Sequence, residues 1–353
     1  MISMRLIFSH RSKISNKKSA FIAPALPPKD IRGLFVVVEL ENKFGVLTTQ
    51  EKAAGITEQA ALEMRLGLSV IDSPFTLDDV AGGKKLKEWA ELFLVAEKKG
   101  YRAKGIFLVG VPGTGKTFFP KCFAGHTGRM LIMLNLSLII DSAEPIRTMD
   151  KVFEYLSRRY RENTNEKYVI LIDEIEKMIG TGTAIERRVT GRLMTILNDM
   201  HTSAAEYAFD GIFFATANSL NVFLDNEPAL LRRGRWDELF FVNLPDEKMA
   251  RDVFMLYLKK FRLESILSLW DLDDLMAEIE ASYQRDNNQA DKFPYTASEI
   301  ETFCKRLDFI RMARGNLKKT DIEDTVKMII PITKSAGQGI DRITAQRELF
   351  IEV

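Results

Sequence analysis

Five short, almost uninterrupted apolar runs punctuate the middle of the chain: GIFLV at 105–109, MLIMLNL at 130–136, YVILI at 168–172, GIFFA at 211–215 and ELFFV at 238–242. Runs of this length, rich in β-branched and aromatic residues and spaced widely enough to hold helices between them, predict strands buried on both faces of a parallel sheet. From Pro245 onward the apolar spacing becomes helical. It predicts helices over 246–261, 272–279, 296–313 and 320–330, with the polar stretch 284–291 as a loop between them. The tail 335–353 reads as one further amphipathic helix, able to dock on a neighbour. Upstream, Pro24, Pro27 and Pro28 punctuate a linker, residues 31–40 resemble a strand and residues 57–68 a short helix. The expected organisation is a basic flexible tail (1–30), a small accessory region (31–69), an α/β domain with a parallel sheet (70–245), and a helical lid with its tail (246–353).

Composition narrows the class. With 353 residues, of which 46% are hydrophobic, the chain is long enough for two domains with sizeable cores. A net charge of +1 gives no electrostatic push toward nucleic acid or a membrane surface. No apolar run reaches the length of a membrane span, and the longest, 130–140, is broken by Asn135 and Ser137. Cys122 and Cys304 lack metal-ligand partners at useful spacing and read as reduced core thiols. These features fit a cytoplasmic protein, although the acid-free segment 1–29 is also compatible with organelle targeting.

The chemistry begins directly behind the first strand. Gly110-Val111-Pro112-Gly113-Thr114-Gly115-Lys116-Thr117 has the spacing of a phosphate-binding loop that ends in a helix opened by Phe118. Its glycines let backbone N–H groups approach phosphates, Lys116 reaches the β- and γ-phosphates, and the Thr117 hydroxyl is a ligand for Mg²⁺. Pro120 is expected to remove a helix donor and favour a kink. The strand at 168–172 delivers Asp173 and Glu174 to the carboxyl edge of the sheet, where ligands of such folds bind. Asp173 is the candidate metal ligand and Glu174 the group that orients and polarises the attacking water. Asn218, behind the strand at 211–215, is assigned to that water or to the γ-phosphate. A nucleoside triphosphate and Mg²⁺ are what this set calls for.

Further along stands Leu231-Arg232-Arg233-Gly234-Arg235-Trp236-Asp237. With this motif in order behind the others, the chain resembles the AAA ATPases from Phe75 to Ile330. Within that family the resemblance runs to the AAA proteins of cyanobacterial and algal-plastid hypothetical reading frames, on the segments IDEIEK (172–177), ATAN (215–218) and LRRGRWDELFFV (231–242), with a shortened N-terminal region. The resemblance implies ATP as the nucleotide and a P-loop NTPase module with a five-stranded sheet and a helical lid, working as a homo-oligomeric ring of six. It implies that Arg232 and Arg235 project into the neighbouring subunit's nucleotide site; a local ion pair with Asp237 or Glu238 is the other reading. It also places Asp79, Val80, Ala81 and Gly82 against the adenine, with Ala297 at the start of a lid helix where the family has glycine. There is no arginine where the wider superfamily carries its second sensor. Thr296 and Glu299 equally form a capping box.

Three functions fit this set. The first is ATP-driven remodelling or assembly of a partner protein. The second is a nucleic-acid-directed ring ATPase of loader or motor type, with Arg187, Arg188 and Arg192 in its channel. The third is a nucleotide-gated scaffold with slow turnover. Residues 135–143, where threading members of the family place an aromatic-hydrophobic-glycine loop, contain neither an aromatic residue nor a glycine. Leu138 and Ile139 are the apolar groups available there, and 180–184 is a second candidate pore segment.

Overall fold

A computed structural model describes residues 57–353 except 181, 203–204, 227, 233 and 284–290. The basic tail, the strand-like stretch at 31–40 and Arg233 therefore lie outside the described residues. Two compact units are distinguished, Met1–Arg65 and Leu66–Val353. In the first, α1 spans Glu58–Arg65, where a short helix was expected.

The second unit is built on one sheet. Its strands are β1 (Leu68–Ile71), β2 (Gly105–Gly110), β3 (Met130–Leu134), β4 (Tyr168–Ile172), β5 (Gly211–Ala217), β6 (Glu238–Val242) and β7 (Ile351–Glu352), in the order β1-β3-β4-β5-β2-β6-β7. The five strands read from the sequence pair in parallel and form its centre, while β1 runs antiparallel at one edge. β2, β4 and β5 are buried at every position, which is why their sequences are apolar without alternation.

Helices α2 (Lys84–Glu97) and α3 (Phe118–Thr127) cover one face, where Phe93, Phe119, Phe123 and Phe214 pack with Ile106 and Leu108. Phe107, Phe153, Phe209 and Phe213 fill the other face, with ring centroids 5.4 Å apart for Phe107–Phe223 and 6.1 Å for Phe153–Phe213. That face belongs to α4 (Leu136–Ile140), α5 (Pro145–Glu162), α6 (Ala184–Asp199) and α7 (Asn221–Asn226). Opposite the edge where the phosphate loop sits, Arg129 is 3% exposed and pairs with Glu97 and, at 3.2 Å, with Asp210.

The helical region has its own core. α8 (Glu247–Lys260), α9 (Leu272–Ser282), α10 (Ala297–Arg314) and α11 (Lys319–Met328) enclose Phe254, Phe293, Tyr295, Phe303 and Leu307. The four expected helices are all present, with bounds shifted by a few residues.

Two expectations are corrected. Pro120 produces no lost helical bond, because α3 begins at Phe118 and Pro120 sits in its first turn, where backbone donors have no intrahelical acceptor. The tail is not one amphipathic helix. It folds as α12 (Ile332–Ser335), α13 (Gly337–Thr344) and β7, which pairs parallel to β6 with Phe240 opposite Ile351. Among the described residues no helix is long and apolar enough to cross a membrane. Cys122 and Cys304 are free and buried, one in each core, and burial pushes the Cys122 thiol up to about 12.

Candidate functional site

The sheet order makes β4, β5 and β2 neighbours, so the turns that follow them meet at one edge. The loop after β2 carries Pro112–Thr117, Asp173 and Glu174 follow β4, and Thr216 and Asn218 end β5. Backbone conformation selects the glycines here. Gly113 and Gly115 have φ of 80° and 91°, in the left-handed region. A Cβ on Gly113 would also stand 2.9 Å from Thr296 Oγ1. Lid and loop are in direct contact, with the Ser298 amide donating to Gly113 O at 3.0 Å.

Lys116 is buried and donates to two carbonyls of its own loop, Gly110 O at 2.9 Å and Val111 O at 2.7 Å. Burial lowers its pKa to about 8, and the nearby Glu176, Asp173 and Glu174 carboxylates only partly offset this. Thr114 holds the turn by donating to Val111 O at 2.7 Å.

One hydroxyl organises the acids. Thr216 Oγ1 donates to Asp173 Oδ1 at 2.5 Å and accepts the Glu174 amide at 2.9 Å. Thr117 Oγ1 donates to the same Asp173 oxygen at 2.7 Å. Thr117 and Asp173 are therefore already together as oxygen donors, which suits Mg²⁺, an ion that takes one or two protein ligands and fills its octahedron with water and phosphate oxygens. Glu174 adopts φ 52°, ψ 52°, a left-handed conformation rare outside glycine and sustained here by that amide bond. Its carboxylate accepts from Asn218 Nδ2 at 3.0 Å and pairs with Lys177.

Glu176 was not singled out by sequence reading. Its Oε1 accepts the Asn218 amide at 2.8 Å, while its buried Oε2 has no partner, and burial raises its pKa. Thr216 was likewise assigned no role. Only the pairing of β4 with β5 brings these residues together, so no local pattern announces either one.

The residues expected against an adenine are divided between the two cores. Val80 packs on the sheet-side core, and Ala81 and Ala297 on the lid core. Gly82, at φ 64°, lies so close to Met249 that a Cβ would come within 2.6 Å of it. Asp79 is occupied by a capping box with Thr76, whose amide donates to it at 2.8 Å. Thr296 and Glu299 form the capping box that opens α10.

Among the described residues Arg232 and Arg235 make no hydrogen bond or ion pair with this cluster of acids; the Arg235 amide donates to Arg232 O at 3.3 Å, just before Trp236. The Trp236 indole donates to Leu230 O at 2.9 Å, and its ring lies 5.6 Å from that of Phe107. Asp237 does not neutralise the arginines; it accepts the Tyr101 hydroxyl at 3.0 Å and the Gly105 amide at 2.8 Å. Among the described residues neither Arg232 nor Arg235 makes an ion pair.

The pore candidates divide. Within 135–143, Leu136–Ile140 form α4, capped by the Asn135 side chain, which accepts the Leu138 amide at 3.1 Å. Leu138 is 37% exposed whereas Ile139 is fully buried, so only the first can touch a partner. Arg192 is consumed by Asp150 at 2.6 Å and Glu206 at 2.7 Å, which removes one of the three arginines proposed for a nucleic-acid channel.

Residues 106–244 match the family described as ATPase family associated with various cellular activities (AAA). An uncharacterized AAA domain-containing protein, ycf46, from Guillardia theta is 27% identical over 283 residues, covering 76% of this chain and 50% of that protein. A proteasome-activating nucleotidase from Saccharolobus solfataricus is 28% identical over 257 residues, covering 70% of this chain and 57% of its own length. The chain thus spans about half the length of these two relatives, 50% and 57%. The crystal structure of the FIGL-1 AAA domain superposes with a TM-score of 0.54 at 18% identity, covering 80% of this chain and 92% of that one, a likeness of fold.

Proposed function

We propose that this chain, whose residues 106–244 match the AAA family, binds Mg·ATP and hydrolyses it at the interfaces of a six-membered ring of its own copies, driving the remodelling or assembly of a partner protein. The observation that carries this reading is the convergence of Lys116, Thr117, Asp173, Glu174 and Asn218 on one sheet edge, cross-linked through Thr216. Thr117 and Asp173 would hold Mg²⁺, which would supply charge neutralisation at the phosphates, and Lys116 would exchange its loop carbonyls for phosphate oxygens. Glu174 orients and polarises the attacking water, with Asn218 fixing the carboxylate that does so.

Ring action is supported by Arg232 and Arg235. They have no acid to satisfy them among the described residues, which is what a cation destined for a neighbour's phosphates requires. A protein partner is supported by the likeness to a proteasome-activating nucleotidase and by the neutralisation of Arg192.

The test separates binding from chemistry. Glu174→Gln retains Mg·ATP affinity within a fewfold and loses turnover, whereas Lys116→Ala loses affinity itself. Wild-type turnover in Glu174→Gln sinks the assignment.

A further inference from the structure

The phosphate loop has two flanks. The lid covers one, through Thr296 and Ser298 at Gly113, and brings hydroxyls but no cation. The C-terminal tail covers the other. Ile340 of α13 is buried with Val111 and Leu244, the Ile332 amide donates to Glu299 Oε1 at 2.5 Å, and β7 extends the sheet beside β6. Between tail and loop lies a cavity of about 220 Å³, whose wall includes Pro112, Asn218 and Asn221 on one side and Ile340, Arg342 and Gln346 on the other.

Arg342 is the only charged side chain lining this cavity. It is exposed at the rim and makes no ion pair among the described residues. Gln346 donates to Asn221 Oδ1 at 3.1 Å, and its buried Oε1, an acceptor with no partner, suits a donor such as a guanidinium and not a phosphate.

The charge balance next to the cavity asks for a cation. Asp173, Glu174 and Glu176 cluster at the sheet edge, Lys177 is paired with Glu174, and Lys116 is the loop's own cation. A triphosphate adds further negative charge beside Asn218, and a guanidinium brought to it makes a charge-assisted hydrogen bond of the strong kind.

We propose that Arg342 is a phosphate-facing residue supplied in cis, which crosses the cavity to the terminal phosphate beside Asn218 when a triphosphate binds. The proposal rests on the reading of this edge as a nucleotide site. It makes the tail a detector of the terminal phosphate, since a diphosphate leaves the guanidinium without a partner.

The experiment uses the full chain and measures affinity for Mg·AMP-PNP and Mg·ADP in wild type, Arg342→Ala and Arg342→Lys. Arg342→Ala is expected to weaken AMP-PNP about tenfold, the scale of one charged hydrogen bond, and to leave ADP within twofold, while Arg342→Lys recovers part of the loss. Unchanged AMP-PNP affinity in Arg342→Ala overturns the inference alone, as does an equal loss for both nucleotides, which marks a tail that only supports the fold. A wild-type chain that binds neither nucleotide overturns the nucleotide site, and the inference with it.

Discussion

Asn218 Nδ2 lies 3.0 Å from Glu174 Oε1, so in the free protein the amide at the end of β5 holds the carboxylate that follows β4. The Asn218 backbone is itself held by Glu176 at 2.8 Å, which makes the pair a positioned unit and not two loose side chains. Asn218→Ala is therefore expected to cut kcat about ten- to hundredfold, since a positioned acid or base contributes roughly 10²–10⁴ and misplacement forfeits part of it. Affinity for Mg·ATP should move less than threefold by comparison, roughly, because the phosphate loop is untouched. Steady-state turnover with an equilibrium binding curve checks this division.

Lys116 is expected to make nucleotide affinity pH-dependent. Its pKa of about 8 lies below the ordinary 10.5, so unfolding takes up a proton across that window. Folded stability consequently rises with pH between these values, and the contribution is lost as pH falls through about 8. Phosphate binding reverses the balance by drawing the proton back onto Lys116. Affinity should weaken above pH 8, toward a limit of about tenfold per pH unit. Calorimetric titration in buffers of different ionisation enthalpy would register the proton taken up, and affinity that stays flat above pH 8 with no proton uptake would contradict it.

At the opposite edge of the sheet, Arg129 carries structural weight. Burial pushes the Glu97 carboxyl up, but Lys167 and Arg129 overcome this and hold it below its ordinary 4.5. Its contribution is present above that value and lost as pH falls through the lowered one. Removing the buried cation leaves Glu97 paired with Lys167 at 2.8 Å and Asp210 with Arg102 at 3.0 Å, both cations partly exposed, so Arg129→Ala should cost about 1–3 kcal/mol, the scale of lost charged hydrogen bonds. Urea unfolding of wild type and variant measures it.

Leu138 is the apolar group that α4 presents to solvent. One half-exposed leucine lacks the flat, stiff surface by which an aromatic ring wedges between residues of an extended chain. A stably folded fluorescent domain fused to a partner should keep its fluorescence during ATP turnover. Signal loss that Leu138→Ala eliminates would reveal a threading grip. Ile139→Ala is no substitute, because Ile139 is fully buried and its truncation tests the core.

Local patterns carried the five parallel strands, the phosphate loop and the Asp173-Glu174 pair into the sequence reading, because each is encoded within about ten consecutive residues. What stayed hidden depends on distant segments meeting. Thr216 and Glu176 gain their roles from the parallel pairing of β4 with β5. β7 is two residues long and becomes a strand only because the edge of β6 is there to receive it, so its short apolar run could not be told from a helix end. Pro120 misled for the opposite reason: its chemistry was plain, but its effect hinged on whether the helix began before or after Phe118.

The central claim is that the active site is completed by a neighbour. Its most direct test mixes two inactive chains, Arg232→Ala, which keeps a whole nucleotide site, and Glu174→Gln, which keeps a whole arginine turn. The expected result is ATP turnover in the mixture that neither parent shows, rising and falling with the mixing ratio as interfaces combine one intact site with one intact arginine. Absence of rescue, together with wild-type turnover per chain that stays constant on dilution to monomer, would contradict it.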